Sequence, residues 1–161
     1  MNRKDIEIMA PAGSYESLMA AVQGGADSVY FGAGELNMRA ASSVNFSPDD
    51  LRKIAGICRD NGLKSYLTLN VVVFDNETEK MKVMVDTAMS AGISAIIASD
   101  LSVIKYAFGK GMEVHLSTQC NITNTEALRF FAQWADVAVL ARELNLGQVR
   151  KIYDNIIEQD I

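Results

Sequence analysis

The chain of 161 residues contains only two cysteines, two prolines and one histidine. Two cysteines build neither a disulfide framework nor a cysteine zinc site, and one histidine without HxH or HExxH spacing gives no ligand set. No metal site is therefore expected. Basic runs are missing too. Lys and Arg are scattered, no three stand together, and the formal net charge is −5. That balance lacks the basic face that strong, non-specific binding to RNA or DNA requires. No segment approaches the roughly 20 apolar residues of a membrane helix, so no membrane partner is expected. The N-terminal MNRKDIEIMAPAG carries a little positive charge but no continuous apolar stretch of about 7–15 residues. A secretory signal is not expected, and the cytoplasm is the expected compartment.

What is present is alternation. Short β-type runs at 6–10, 28–32, 65–70, 95–99, 113–117 and 136–141 each precede a segment of helical period. The period switches from about 2 to about 3.6 six times, which predicts six successive βα units in one domain over 1–161. Such alternation demands a parallel sheet with right-handed crossovers. The glycine-rich turn of a dinucleotide fold is absent: the first turn is APAGS, with one glycine and one proline. A complete barrel has eight units and about 250 residues. The expected fold is thus α/β, an incomplete TIM-type barrel of about six βα units. Its first and sixth strands would leave open edges, to be covered by further sequence or by self-association if the protein stops at 161 residues.

Strand alternation also sorts side chains. In EVHLS, Val114 and Leu116 are expected to face the helices, leaving His115 and Ser117 inside. In SYLTLN, Tyr66, Thr68 and Asn70 turn inward. In VAVLARE, Val137 and Val139 are expected outside, with Leu140 and Arg142 inside. Polar side chains thereby converge at the C-terminal ends of three strands, where parallel βα folds carry their sites. HLSTQCNITN (115–124) is the richest stretch. A loop of about 15 residues after the second strand carries Arg39, an anion clamp, and Asn45 over the same mouth.

Several polar residues have a plainer use. Ser14, Ser47 with Pro48 and Asp50, Asn76, Asp100, Thr123 with Glu126, and Asn145 all read as helix caps. Cys58 falls on the apolar stripe Leu51, Ile54, Ala55, Cys58 and reads as core. Cys120 is a lone thiol without an obvious base. His115 and Ser117 face the same way, but no carboxylate is evidently placed to orient the imidazole, so no hydrolase triad is recognised.

APAGS, GADSVYFG, NMRA followed by NFS, TLN, SD at 99–100, HLSTQCNITN and LARELNL resemble, in that order, the collagenase-like peptidase family, number thirty-two of the unknown-mechanism class. The resemblance runs from about residue 6 to 150. It implies the N-terminal part of a longer barrel protein. Collagenase-type activity is attributed to some members without an agreed mechanism; others are implicated in oxygen-independent hydroxylation of a tRNA uridine, a ribosomal RNA cytidine or a ubiquinone precursor. Those members hold an iron–sulfur cluster through four cysteines beyond the matched region. The resemblance thus implies no cofactor in this chain, and an iron–sulfur cluster in a full-length protein. His115, Arg142 and Glu143 match the family as candidate catalytic residues. Arg39, Asn45, Thr68, Asn70, Asp100, Ser117, Gln119 and Asn121 match as candidate substrate-binding residues. The expected substrate is polar or anionic, with RNA as a partner of the full-length protein. Hydroxylation is the favoured chemistry, protein hydrolysis the alternative, and a non-catalytic binding or assembly piece the third reading. The fragment alone is expected to be inactive.

Overall fold

The computed structural model describes residues 6–38 and 46–159. Six strands alternate with six helices: β1 (Met9–Pro11), α1 (Tyr15–Gln23), β2 (Ser28–Gly32), α2 (Leu51–Asp60), β3 (Lys64–Leu69), α3 (Thr78–Ala91), β4 (Ala95–Ala98), α4 (Leu101–Gly109), β5 (Glu113–Leu116), α5 (Thr125–Ala132), β6 (Val137–Ala138) and α6 (Leu146–Gln159). Every neighbouring pair is parallel, and the strand order is β1-β2-β3-β4-β5-β6. Strand order that follows chain order winds the sheet in one direction. A doubly wound sheet would reverse it. The result is a curled half-barrel, as the six βα units predict.

The two sheet faces differ in what covers them. Val29, Phe31, Leu67, Leu69, Ile96, Ala98, Val114 and Leu116 face the helical layer, forming one core with Leu18, Ile54, Met81, Ile104, Leu128 and Ile152. All six helices contribute to that layer. The opposite, interior face carries a smaller cluster of Tyr66, Ala95 and Ile97 with Tyr30 against it. Both edge strands are short, which limits the ladder they leave unpaired. β1 begins at Met9 because the Asp27 carboxylate accepts the Ile8 N–H at 2.7 Å, in place of a ladder bond.

Caps fix where the helices begin. Ser14 and Ser17 form a reciprocal box at α1, and Asn145 with Gln148 does the same at α6. Ser47 donates to Asp50 ahead of α2, as expected. Two expectations are corrected. α5 is capped by Asn124, whose Oδ1 accepts the Ala127 N–H at 2.9 Å, because Glu126 is engaged by Arg129 and cannot close a box on Thr123. Ahead of α3, the Phe74 N–H is taken by Glu77, and Asn76 lies within the turn.

The inside–outside reading holds for β3 and β5 and fails for β6. Val137 is in register with His115, and Ala138 with Leu116. Val137 therefore shares the interior face with His115, while Ala138 and Leu140 pack on the helical core. β6 lies at an edge of the sheet, so its interior-facing valine is exposed, and apolarity alone misassigns its parity.

Candidate functional site

The C-terminal ends of the strands form a mouth built from loop and strand-end residues. A cavity of about 310 Å³ is lined by Met38, Asn70, Val71, Val72, Ser99, Asp100 and Gln119. Asn70 follows β3, and its Oδ1 accepts the Met38 N–H at 3.3 Å, tying the loop after β2 to the next strand. Asp100 follows β4 and does two jobs. One oxygen caps α4, accepting the Ser102 N–H at 2.8 Å and the Ser102 hydroxyl at 2.6 Å. The other accepts the Val73 N–H at 3.1 Å and braces the loop after β3. Partial burial opposes ionisation of Asp100, but these donors outweigh it and hold its carboxyl below the ordinary range. Beyond β5, the Ser117 hydroxyl donates to Gln119 Oε1 at 3.2 Å.

His115 lies one layer beneath this mouth. It is buried at 6% exposure, level with Thr68 and Ile97 across the sheet. Its Nε2 is 2.7 Å from Glu113 Oε1, so a carboxylate does orient the imidazole, contrary to the sequence expectation. The carboxylate comes from the same strand two residues earlier, where the period of two puts it on the same face. The Tyr66 ring packs on the imidazole with centroids 4.6 Å apart. Tyr66 in turn donates its hydroxyl to Glu7 Oε1 at 2.6 Å, and Lys64 stands 3.5 Å from the other Glu7 oxygen. Burial first, and Glu7 second, push the Tyr66 phenol above its ordinary range.

The remaining sequence candidates fall elsewhere. Thr68 is buried and donates to the Phe31 carbonyl at 3.0 Å, a bond within the sheet. Asn121 is exposed at φ 50°, ending the short turn after β5 in the left-handed conformation that asparagine tolerates. Arg142 and Glu143 are exposed in the turn beyond β6, and no hydrogen bond or ion pair joins them to the mouth among the described residues. Arg39 and Asn45 lie outside the described residues. Sequence reasoning missed Glu113 and Glu7. It also missed Asn37, which is buried and donates to the Ala33 and Gly34 carbonyls.

Chemically, the mouth offers two amides, a carboxylate and the Ser99 hydroxyl, and among the described residues no hydrogen bond pairs a nucleophile with a base there. Ser117 bonds Gln119 and His115 bonds Glu113, so the two are not linked as a catalytic pair. Burial raises the Cys120 thiol, which disfavours a thiolate there. Cys58 is buried in α2 and Cys120 sits in the turn after β5. Two thiols on separate elements do not fit a cluster requiring four, and among the described residues no group of three or more His, Cys, Asp and Glu side chains is placed to hold a metal ion.

A one-way wound βα half-barrel with polar residues at its strand ends is part of a (β/α) barrel, a fold that carries its sites at that end. The chain belongs to peptidase family U32, whose family model matches residues 13–161. It is 60% identical over its whole length to a collagenase of Porphyromonas gingivalis, spanning 39% of that protein. It is 30% identical to tRNA hydroxylation protein P1 of Bacillus subtilis, over 95% of this chain and 37% of that protein. It is also 30% identical to the 23S rRNA 5-hydroxycytidine C2501 synthase of Escherichia coli, over 92% of this chain and 22% of that one. The solved structure of the U32 peptidase Mk0906 superposes with a TM-score of 0.75 at 14% identity, covering 92% of this chain and 64% of the other. That last likeness is one of fold. The chain spans about two fifths or less of these sequence relatives. Among the described residues, no helix is long and apolar enough to cross a membrane.

Proposed function

We propose that the whole protein is an enzyme of the hydroxylation type, replacing a C–H of an RNA nucleoside by C–OH without molecular oxygen. An organic co-substrate gives up a hydroxyl oxygen and takes the two electrons, and this chain supplies the substrate-binding mouth. The observation that carries this reading is the lining of the mouth cavity. Asn70 and Gln119 each present a donor and an acceptor, the chemistry that reads a nucleobase edge. Each amide oxygen already accepts one bond, from the Met38 N–H and the Ser117 hydroxyl, and keeps a second lone pair for a ligand. Ser117 and His115 do not bond to each other, so they form no hydrolytic pair. Arg39 and Arg142 are proposed to meet the phosphates of a polar, anionic substrate. A redox cofactor, with an iron–sulfur cluster as the proposed group, would be ligated outside this chain.

A second reading, protein hydrolysis, is favoured by one observation: the 60% identity to a protein named collagenase. One experiment separates the two. The whole protein, purified anaerobically, is supplied to cells lacking it, and their RNA is digested to nucleosides and weighed by mass spectrometry. A nucleoside heavier by one oxygen, dependent on the protein, is the expected result. Unchanged nucleosides together with gelatin cleavage would replace this reading with the second.

A further inference from the structure

The only histidine in the chain is held from two directions, and each contact restricts a different freedom. Tyr66 packs against the imidazole plane, 60° between rings, and is itself anchored through its hydroxyl to Glu7. The Glu113 carboxylate takes the Nε2 edge at 2.7 Å. A carboxylate only accepts, so Nε2 must carry the proton in that bond. In the neutral imidazole the lone pair then sits on Nδ1, and among the described residues no hydrogen bond engages Nδ1. The other interior neighbours in register with His115 are Ile97 and Val137, which carry no polar group to compete. Among the described residues, the charged and titratable groups in contact with the ring are Glu113 and Tyr66, with Glu7 and Lys64 behind Tyr66 and Tyr30 packed on the same interior cluster.

We propose that Glu113 is the positioning residue for His115: it fixes the Nε2–H tautomer and leaves Nδ1 as the proton-accepting nitrogen inside the half-barrel. Imidazoles poised as bases are commonly oriented in this way by a carboxylate on the nitrogen that does not react. Here the carboxylate and the imidazole share one strand at a spacing of two. The sheet's own pleat thus sets their geometry, and no distant loop has to be placed. The proposal rests on the proposed function only for its kinetic test, with His115 the catalytic candidate that the family resemblance implies; the tautomer follows from geometry alone.

In the whole protein labelled with 15N-histidine, the imidazole signals lost in His115→Gln identify this side chain, to be read at pH 8. The expected wild-type pattern has the proton on Nε2 and a lone pair on Nδ1. Glu113→Gln should keep that pattern, since the amide oxygen still accepts, whereas Glu113→Ala should give averaged shifts from two tautomers. A wild-type proton on Nδ1, or an unchanged pattern in Glu113→Ala, would overturn the proposal. Should Glu113→Ala fail to fold, the wild-type and Glu113→Gln spectra still decide the tautomer. In the whole protein, Glu113→Ala should lower kcat by at least about tenfold with KM little moved, and Glu113→Gln should recover most of it. Full turnover in a variant whose tautomer is lost would also overturn it. If the protein neither hydroxylates RNA nor cleaves gelatin, the functional reading fails while the tautomer measurement stands.

Discussion

Asn37 lies directly over Gly32: a Cβ built on residue 32 would meet Asn37 Oδ1 at 2.3 Å. Asn37 cannot easily give way, because it is buried and donates to the Ala33 and Gly34 carbonyls. Gly32→Ala should therefore strain the loop that carries Met38 to the mouth. Overpacking of this kind costs about 1–3 kcal/mol, or a fall of roughly 2–4 °C in Tm per kcal/mol at this chain length. Adding Asn37→Ala should recover part of the loss, and a double-variant cycle by thermal melting checks it. Additive losses would show that the two residues do not oppose each other.

Tyr66 tests the anchoring chain behind His115. Tyr66→Phe keeps the ring against the imidazole and deletes the phenol's bond to Glu7. Glu7 is partly exposed, so water replaces much of what is lost, and the expected cost is about 1 kcal/mol. Urea unfolding gives the number. Tyr66→Ala should cost more, since it also opens a cavity on the interior face.

Acid should unfold the chain from the carboxylate side. Hydrogen bonds from Tyr15 and Ser47 hold Asp50 below its ordinary value, and the donors around Asp100 do the same against the effect of burial. A carboxyl whose folded pKa is depressed contributes stability above its unfolded value, near 3.9, and loses it as pH falls through the folded value. Stability should thus be flat near neutral pH and decline below about pH 4. Asp100→Asn should lower stability at pH 7 by about 1 kcal/mol, keeping the cap but weakening the charge-assisted bond to Val73. Its acid limb should be shallower. Melting temperatures from pH 3 to 7 for both proteins test this, and parallel curves would remove Asp100 from the account.

How far the sequence carries depends on whether a feature is local. The α2 stripe of Leu51, Ile54, Ala55 and Cys58 is buried as its spacing predicts, because a helix face is defined within eight residues. Asp100 and Asn145 cap as read, for the same reason. The parity of β6 was not legible. It is set by pairing Val137 with His115, 22 positions away in the chain, and no local pattern encodes that register. Gly32 under Asn37 is equally hidden, since nothing in FGAGELN says that the asparagine folds back onto the glycine. Glu113 was legible and overlooked: its spacing of two from His115 on a strand already placed them on one face. Of the strand-end residues expected to converge, Thr68, Asn70, His115, Ser117 and Arg142, only Asn70 lines the mouth cavity. Asp100, read as a cap, and Gln119, given by the family resemblance, join it there.

Thiol chemistry gives an independent check on the hydrolytic reading. Burial pushes Cys58 up to about 11 and raises Cys120 as well. At pH 7.5 a disulfide reagent should leave Cys58 untouched until denaturant is added and should modify Cys120 slowly. Cys120→Ala should keep whatever activity the whole protein has to within about twofold, because a protonated thiol is a poor nucleophile. Loss of gelatin cleavage in that variant would restore Cys120 as a nucleophile.

Arg142 separates a binding role from a structural one most simply. It is exposed beyond β6, with no partner among the described residues that its removal would strand. Surface substitutions of this type change stability by no more than about 0.5 kcal/mol, so the melting curve of Arg142→Ala should overlay the wild type. An arginine that clamps a phosphate contributes a charge-assisted bond of about 1.5–3 kcal/mol. Affinity of the whole protein for an RNA substrate should accordingly fall by about tenfold or more, with a weaker dependence on salt. Arg142→Lys should recover only part of this, because lysine cannot make the paired contact of a guanidinium. Unchanged affinity at an unchanged Tm would remove Arg142 from the site and leave the mouth to Asn70, Asp100 and Gln119.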